Sequence, residues 1–248
     1  MFIGPNRLWH SLKHDLEPEL LERISNLERQ LHFHLSLNSV GAADYALWSA
    51  GAYVLESLTS STYLSRQHTW WRLWSSRPQH ALQWKPPVLA LNPEVHPGYC
   101  WAMEGSSGTL GVSLAQTIIA QAVTIDHVAK PLLFQYTSAP KEVEVWIIPE
   151  GHSAMGPDLV TATAAQLLDH TNVMRYTHDF LDSTFVNLVN FTYDIHALQP
   201  TQTFPVADDM AASGIKTNAV LFRFRNNWGN DAYTCVYRVR VHGTIVNK

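Results

Sequence analysis

Cys100 and Cys235 are the only cysteines in this 248-residue chain. What surrounds them constrains the fold more than any other feature. The first sits in His96-Pro97-Gly98-Tyr99-Cys100-Trp101-Ala102. The second sits in Tyr233-Thr234-Cys235-Val236-Tyr237, shortly after Asn227-Trp228-Gly229 and just ahead of Arg238-Val239-Arg240-Val241-His242-Gly243. A metal site needs clustered ligands. Two lone cysteines far apart, each in an aromatic-rich frame, read instead as one structural disulfide. The competing reading stays open: two buried free thiols behaving as small apolar residues. A disulfide calls for an oxidising compartment.

Apolar periodicity points to a β protein with a helical start. From Asp15 the pattern is helical, with Pro18 suited to a first turn. Leu20, Ile24, Leu27 and Leu31 repeat at alternating steps of four and three, a short heptad seam. It is too short to hold a coiled coil alone. It is either a helix packed on its own domain or the end of an oligomerising stalk. Beyond Asn38 the period changes. Val143, Val145 and Ile147 alternate with Glu142, Glu144 and Trp146, as in a half-buried strand. Leu110, Val112 and Leu114 alternate likewise, as do Val123 and Ile125. Val220, Phe222 and Phe224 oppose Arg223 and Arg225. Cys235, Tyr237, Val239 and Val241 share a face opposite Arg238, Arg240 and His242. Several short strands separated by Gly and Pro turns predict an antiparallel β-sandwich.

Two segments interrupt the pattern. Residues 63–84 carry Tyr63, Trp70, Trp71, Trp74 and Trp84 among basic residues, the composition of a binding surface. Residues 152–184 form an insertion in which 158–168 reads as a helix opening after Pro157. Charged residues are only 15% and the formal net charge is -4, which gives no electrostatic case for nucleic acid. No apolar run reaches the roughly 18 residues of a membrane span. Met1-Phe2-Ile3-Gly4-Pro5 lacks the pattern of a signal peptide. The chain is then either cytosolic or a lumenal piece of a longer one, and a disulfide favours the second.

Motifs for catalysis are wanting. Thirteen histidines invite a metal hypothesis, but neither His10/His14 nor His32/His34 has a third ligand in a known arrangement. Gly151-His152-Ser153-Ala154-Met155-Gly156 is one residue too long for a nucleophile elbow. No Gly-rich phosphate loop is present, and the expectation is a non-enzyme. Asn190-Phe191-Thr192 is a glycosylation sequon, which suits a lumenal protein.

Ordered motifs carry a family resemblance. Ala43-Asp44-Tyr45-Ala46-Leu47 and Ser49-Ala50-Gly51-Ala52 come first, then Asn92-Pro93-Glu94-Val95-His96-Pro97-Gly98-Tyr99-Cys100-Trp101-Ala102. Ile125-Asp126-His127-Val128, Ser138-Ala139-Pro140-Lys141-Glu142, Phe191-Thr192-Tyr193-Asp194 and the C-terminal block follow. Together these resemble the SUN domain, the lumenal domain of nuclear-envelope proteins that hold KASH peptides, and in particular a fungal-type member. The resemblance covers residues 41–248, with residues 1–40 as the end of a coiled-coil stalk. It implies a jelly-roll, galactose-binding-like sandwich that homotrimerises in the perinuclear space. There it would bind KASH peptides in the LINC bridge between nucleoskeleton and cytoskeleton. The alternative is a carbohydrate-binding sandwich that uses its exposed aromatics.

The resemblance also implies site residues. The lid, residues 63–84, takes the peptide as an added strand. Its terminal carboxylate enters a pocket of His127, Ser138, Tyr233 and Tyr237, all expected to donate hydrogen bonds. A cation loop of Leu89, Asn92, Glu94, Tyr99 and Tyr237 holds a potassium ion, largely through backbone oxygens. Glu94 and Tyr99 depart from the family's usual Asp and Asn. Cys100 and Cys235 form the implied disulfide. Thr59 replaces a cysteine that in some members bonds to the peptide, so no covalent link is expected.

Overall fold

A computed structural model describes residues 20, 22–24, 26, 42–64, 85–133, 135–151, 159–168, 180 and 182–246. The chain divides into two units, Met1–Gly41 and Ala42–Lys248. In the first, residues 20, 22–24 and 26 are helical, with Leu20 and Ile24 exposed. Leu27 and Leu31, which complete the expected seam, lie outside the described residues.

Among its described residues, the second unit is mainly antiparallel β. Its strands are β1 (Tyr53–Leu55), β2 (Trp101–Glu104), β3 (Gly108–Asp126), β4 (Glu142–Pro149), β5 (Thr161–Thr163), β6 (Thr184–Thr192), β7 (Gln202–Pro205), β8 (Thr217–Phe224), β9 (Tyr233–Val236) and β10 (Arg238–Ile245). Among the described residues, the short α-helices α1 (Ala164–Leu167) and α2 (Asp208–Ala212) interrupt them. The large sheet runs β1-β3-β8-β4-β6-β5, with β10 and β7 also paired to β3, while β2 and β9 form a two-stranded sheet.

β3 organises the sandwich. Leu110, Val112, Leu114, Val123 and Ile125 belong to this one strand of 19 residues. Its first part, Gly108–Ser113, pairs with β8, and its last part, to Asp126, pairs with β10 and β7. The register slips between Ser113 and Ile118. The strand thereby serves both layers, and apolar residues from both of its halves join those of β4, β8 and β10 in one core. Gly243 follows a bulge after His242, where any side chain would run into the Ile119 carbonyl.

β4 and β8 show the expected alternation. Val143, Val145 and Ile147 are buried, and so are Val220, Phe222 and Phe224. Trp146 is the exception to a half-buried strand, since it is buried on the opposite face. The reason is the insertion. Of residues 158–168, expected as a helix, Thr161–Thr163 form β5, which pairs with Thr184–Val186 of β6, and Ala164–Leu167 form one turn of helix. That turn opens on a capping box formed by Thr163 and Gln166. Leu167 and Leu168 then cover Trp146, Phe185 and Leu221 in a second small core on the outer face.

The C-terminal run also differs from the single strand its alternation predicts. Cys235 lies in β9 and pairs with Ala102 of β2, whereas Val239 and Val241 lie in β10 and pair with β3. Tyr237 falls between, where the chain passes from the small sheet to the large one.

Candidate functional site

The site gathers at that crossing. Cys100 and Cys235 are disulfide-bonded, with Cα atoms 5.6 Å apart. They pack with Val128 and Tyr237, and Val95, Leu133 and Tyr233 lean on this cluster. The bridge holds the loop before β2 against the strand that delivers both tyrosines.

Polar contacts fix the rest. Tyr237 is buried, and its hydroxyl accepts from the Gly98 amide at 3.2 Å. Gly98 has φ +76°, a left-handed conformation suited to glycine. Tyr233 is delivered by an Asn-built turn. Asn227 Nδ2 donates to the Asn230 carbonyl at 2.6 Å and to Thr234 Oγ1 at 3.0 Å. Asn230 Oδ1 in turn accepts from the amides of Ala232 and Tyr233. Burial raises both tyrosine pKa values, so both hydroxyls keep their protons at neutral pH. The neighbouring Ser138 and Asn230 side chains partly offset the rise at Tyr233, and Ser138 Oγ donates to the Gln135 carbonyl at 2.8 Å.

His127 completes the group, its ring edge-on to Tyr237 with centroids 4.5 Å apart. Burial lowers its pKa to about 4, opposed in part by the hydrogen bond to Val128, so it is neutral at pH 7. Nδ1 lies 3.0 Å from the Val128 carbonyl, which can only accept. Nδ1 therefore carries the proton and Nε2 is an acceptor. That differs from the expectation that His127 donates to a carboxylate. Nε2 is buried and, among the described residues, has no hydrogen-bond partner.

His127 also lines a cavity of about 300 Å³, together with Leu133, Tyr136, Tyr193, Lys130 and His196. The Tyr193 hydroxyl donates to the Pro200 carbonyl at 2.8 Å, and Lys130 Nζ donates to His196 Nδ1 at 3.2 Å. The sequence reading missed this cavity, because its walls come from two loops that lack alternation, residues 128–136 and 193–200. Beneath it, Asp126 meets Arg240 at 2.7 Å and Arg238 at 3.7 Å, and Arg238 bonds Asp44 at 2.8 Å. This ladder ties the motif that starts the domain to the strand leading into His127.

Of the proposed lid, Tyr63 is described. Its amide donates to the Ala102 carbonyl at 2.8 Å, and its ring lies 5.2 Å from that of Tyr233. The segment thus leaves the small sheet beside the pocket. Trp70, Trp71, Trp74 and Trp84 lie outside the described residues. Thr59 is buried and structural, with Oγ1 donating to the Leu55 carbonyl at 2.8 Å and accepting from the Gly111 amide at 3.1 Å.

In the expected cation loop, Leu89 and Asn92 close one turn (Asn92 amide to Leu89 carbonyl, 3.1 Å) and His96 and Tyr99 close another (3.0 Å). Glu94 is exposed. A positive group already rests on the loop, as Lys85 Nζ donates to the Gly98 carbonyl and lies 5.4 Å from the centre of the Tyr99 ring. The Leu89 and His96 carbonyls are taken by turn amides, and the Gly98 carbonyl, an oxygen of the kind that monovalent cations accept as a ligand, is taken by this ammonium. Among the described residues there is no His/Cys/Asp/Glu cluster of the kind that holds a transition metal.

The chain matches the family model described as Sad1/UNC-like C-terminal over residues 80–172 and 170–245. It is 31% identical over 242 residues to human SUN domain-containing protein 3, covering 96% of this chain and 58% of that protein. It is 32% identical over 218 residues to SUN domain-containing protein 2 of Arabidopsis thaliana, covering 88% of this chain and 40% of that protein. The chain therefore spans little more than half the length of the first relative and two fifths of the second. Among solved structures, the family 32 carbohydrate-binding module of Streptococcus pneumoniae EndoD aligns at TM-score 0.47 and 8% identity, covering 81% of this chain and 99% of that one. The family 32 module of C. perfringens NanJ, in complex with galactose, aligns at 0.45 and 10%, covering 81% and 97%. With the family model matched across most of its length, the chain belongs to the Sad1/UNC-like C-terminal family, the SUN domains.

Proposed function

We propose that this domain is a binding module, not an enzyme, and that it holds the C-terminal tail of a KASH-type protein in the perinuclear space. It would do so as a homotrimer in a LINC bridge. The observation that carries this reading is the unpaired Nε2 of His127, buried beside hydroxyls that remain protonated. An unsatisfied buried acceptor costs on the order of 1–3 kcal/mol, and a ligand that supplies a donor removes that cost.

The chemistry divides between carboxylate and side chain. Tyr233 and Tyr237 donate to the terminal carboxylate in charge-assisted bonds, and Ser138 joins them by turning its hydroxyl away from the Gln135 carbonyl. Neutral His127 accepts from a hydroxyl or N–H of the tail's last residue. The upstream peptide adds as a strand along the lid, residues 63–84. A potassium ion held by Leu89, Asn92, Glu94, Tyr99 and Tyr237 would supply positive charge that steadies the loop carrying Gly98, and so the partner of Tyr237.

Calorimetry with a KASH-tail peptide tests this in its free-acid and amidated forms. Loss of two charge-assisted bonds weakens the amidated form on the order of 100-fold. Ser138→Ala removes one donor and weakens the free acid about tenfold. Equal affinity for both peptide forms refutes the pocket. Binding of galactosides with no binding of peptide supports the carbohydrate reading in its place. Light scattering with and without peptide reads the trimer.

A further inference from the structure

Asn190-Phe191-Thr192 is the only Asn-X-Ser/Thr triplet in the chain, and the peptide site makes no use of it. It ends β6. Phe191 faces inward, stacked on Phe204 with ring centroids 3.7 Å apart. Asn190 and Thr192 face the other way, and both are exposed. On one side they stand opposite Glu144 and Glu142 of β4. On the other side, β5 pairs only as far as Val186, and the Val160 carbonyl takes the Asn187 amide. Past that point no described strand pairs with this edge. The outer face here is polar. Glu144 is held by Arg223 and Arg225, each at 3.1 Å, while Leu167 and Leu168 of the insertion pack among Leu58, Trp146, Phe185 and Leu221.

The Asn190 amide is itself suited to modification. Its Oδ1 accepts from Asn187 Nδ2 at 2.8 Å, whereas its own Nδ2 donates to no described residue. Replacing one hydrogen on that exposed nitrogen breaks no hydrogen bond among the described residues.

We propose that Asn190 carries an N-linked oligosaccharide. The donor is a lipid-linked oligosaccharide diphosphate, acted on by the membrane-bound transferase of the secretory pathway. Nδ2 attacks the anomeric carbon, and a C–N bond forms as the C–O bond to diphosphate breaks. The lipid diphosphate leaves with the electron pair, and the amide gives up one proton to a base. Nothing is oxidised or reduced. Transfer acts on the extended chain before β6 folds, so the folded strand has only to tolerate the product, and Asn190 does. The sugar would stand beside the edge of β6 that is open among the described residues, where free N–H and C=O groups invite another strand. It would also keep this face out of protomer and peptide contacts.

The inference rests on the lumenal placement proposed above, and two samples separate the two ideas. In the first, the whole chain is directed into the endoplasmic reticulum by a cleavable signal sequence. In the second, the protein is taken from its own cells. Peptide N-glycosidase should collapse a mobility shift in the directed chain and convert Asn190 to Asp in its tryptic peptide. Asn190→Gln and Thr192→Ala should abolish the shift, and Thr192→Ser should keep it. An unmodified Asn190 in a directed chain whose Cys100–Cys235 bridge has formed overturns the proposal, as does a shift that survives Asn190→Gln. Modification of the directed chain but not of the cellular protein supports Asn190 as an acceptor and refutes lumenal placement.

Discussion

Acidification should unfold this domain partly through His127, and the size of the effect follows from its burial. In the folded protein the imidazole is neutral, with a pKa lowered to about 4 from 6.5. As pH falls below about 6.5, the unfolded chain takes up a proton at this position and the folded chain does not. Stability that is fully present above that pH is lost progressively until the folded form protonates near pH 4. The whole difference corresponds to roughly 3 kcal/mol, of which about 2.5 kcal/mol is lost between pH 7 and pH 4.5. His127→Asn isolates the effect. Its Nδ2 can take the place of Nδ1 on the Val128 carbonyl, and it does not titrate. The smaller side chain leaves a packing defect, but that cost does not vary with pH. His242, whose pKa is also lowered chiefly by burial, titrates equally in both proteins and cancels. Urea unfolding followed by tryptophan fluorescence at the two pH values should show a loss about 2.5 kcal/mol smaller in the variant. Equal losses in the two proteins would refute the reasoning, as would an NMR titration of folded His127 with its midpoint near the ordinary value.

Three further outcomes follow from the structure. Cys100→Ser opens a loop between residues 135 apart, for which the chain-entropy model gives about 4–5 kcal/mol, with measured values often lower. Calorimetry should show a lower Tm and weaker peptide binding, since Tyr233 and Tyr237 lose their anchor; unchanged peptide affinity would mean the bridge does not position them. Leu167→Ala should cost about 2–5 kcal/mol in urea unfolding, because Leu167 is buried against Trp146 and Phe185; a negligible cost would mean the insertion does not stabilise the sheet. Lys85→Met removes the ammonium from the Gly98 carbonyl, so the Tm gain on adding potassium chloride should exceed that of the parent, with choline chloride as the ionic-strength control; no gain in either protein would argue against an ion in this loop.

Much of the fold was legible in the sequence because period-two alternation is a local property. β4 and β8 bury the residues whose spacing said they would, and the two cysteines, with no clustered partners, do form one bridge. The family motifs also named Tyr233, Tyr237, Ser138 and His127 as one pocket; in the structure His127 lies edge-on to Tyr237, and Tyr233 and Tyr237 share the cluster around the disulfide. What failed was whatever depends on a second layer. Cys235 to Val241 alternates without interruption, yet the chain changes sheets at Tyr237, because a strand's own pattern does not name its neighbour. Trp146 is buried on the face that alternation assigns to solvent, because the insertion that covers it is distant in sequence. Within the insertion, 158–168 read as a helix, but only Ala164–Leu167 is helical; Thr161–Thr163 form β5 instead, where pairing with β6 satisfies the backbone. The protonation of His127 and the free Nε2 were beyond any motif. They depend on burial beside Tyr237 and on a carbonyl one residue along, and only tertiary packing decides how much water a side chain keeps.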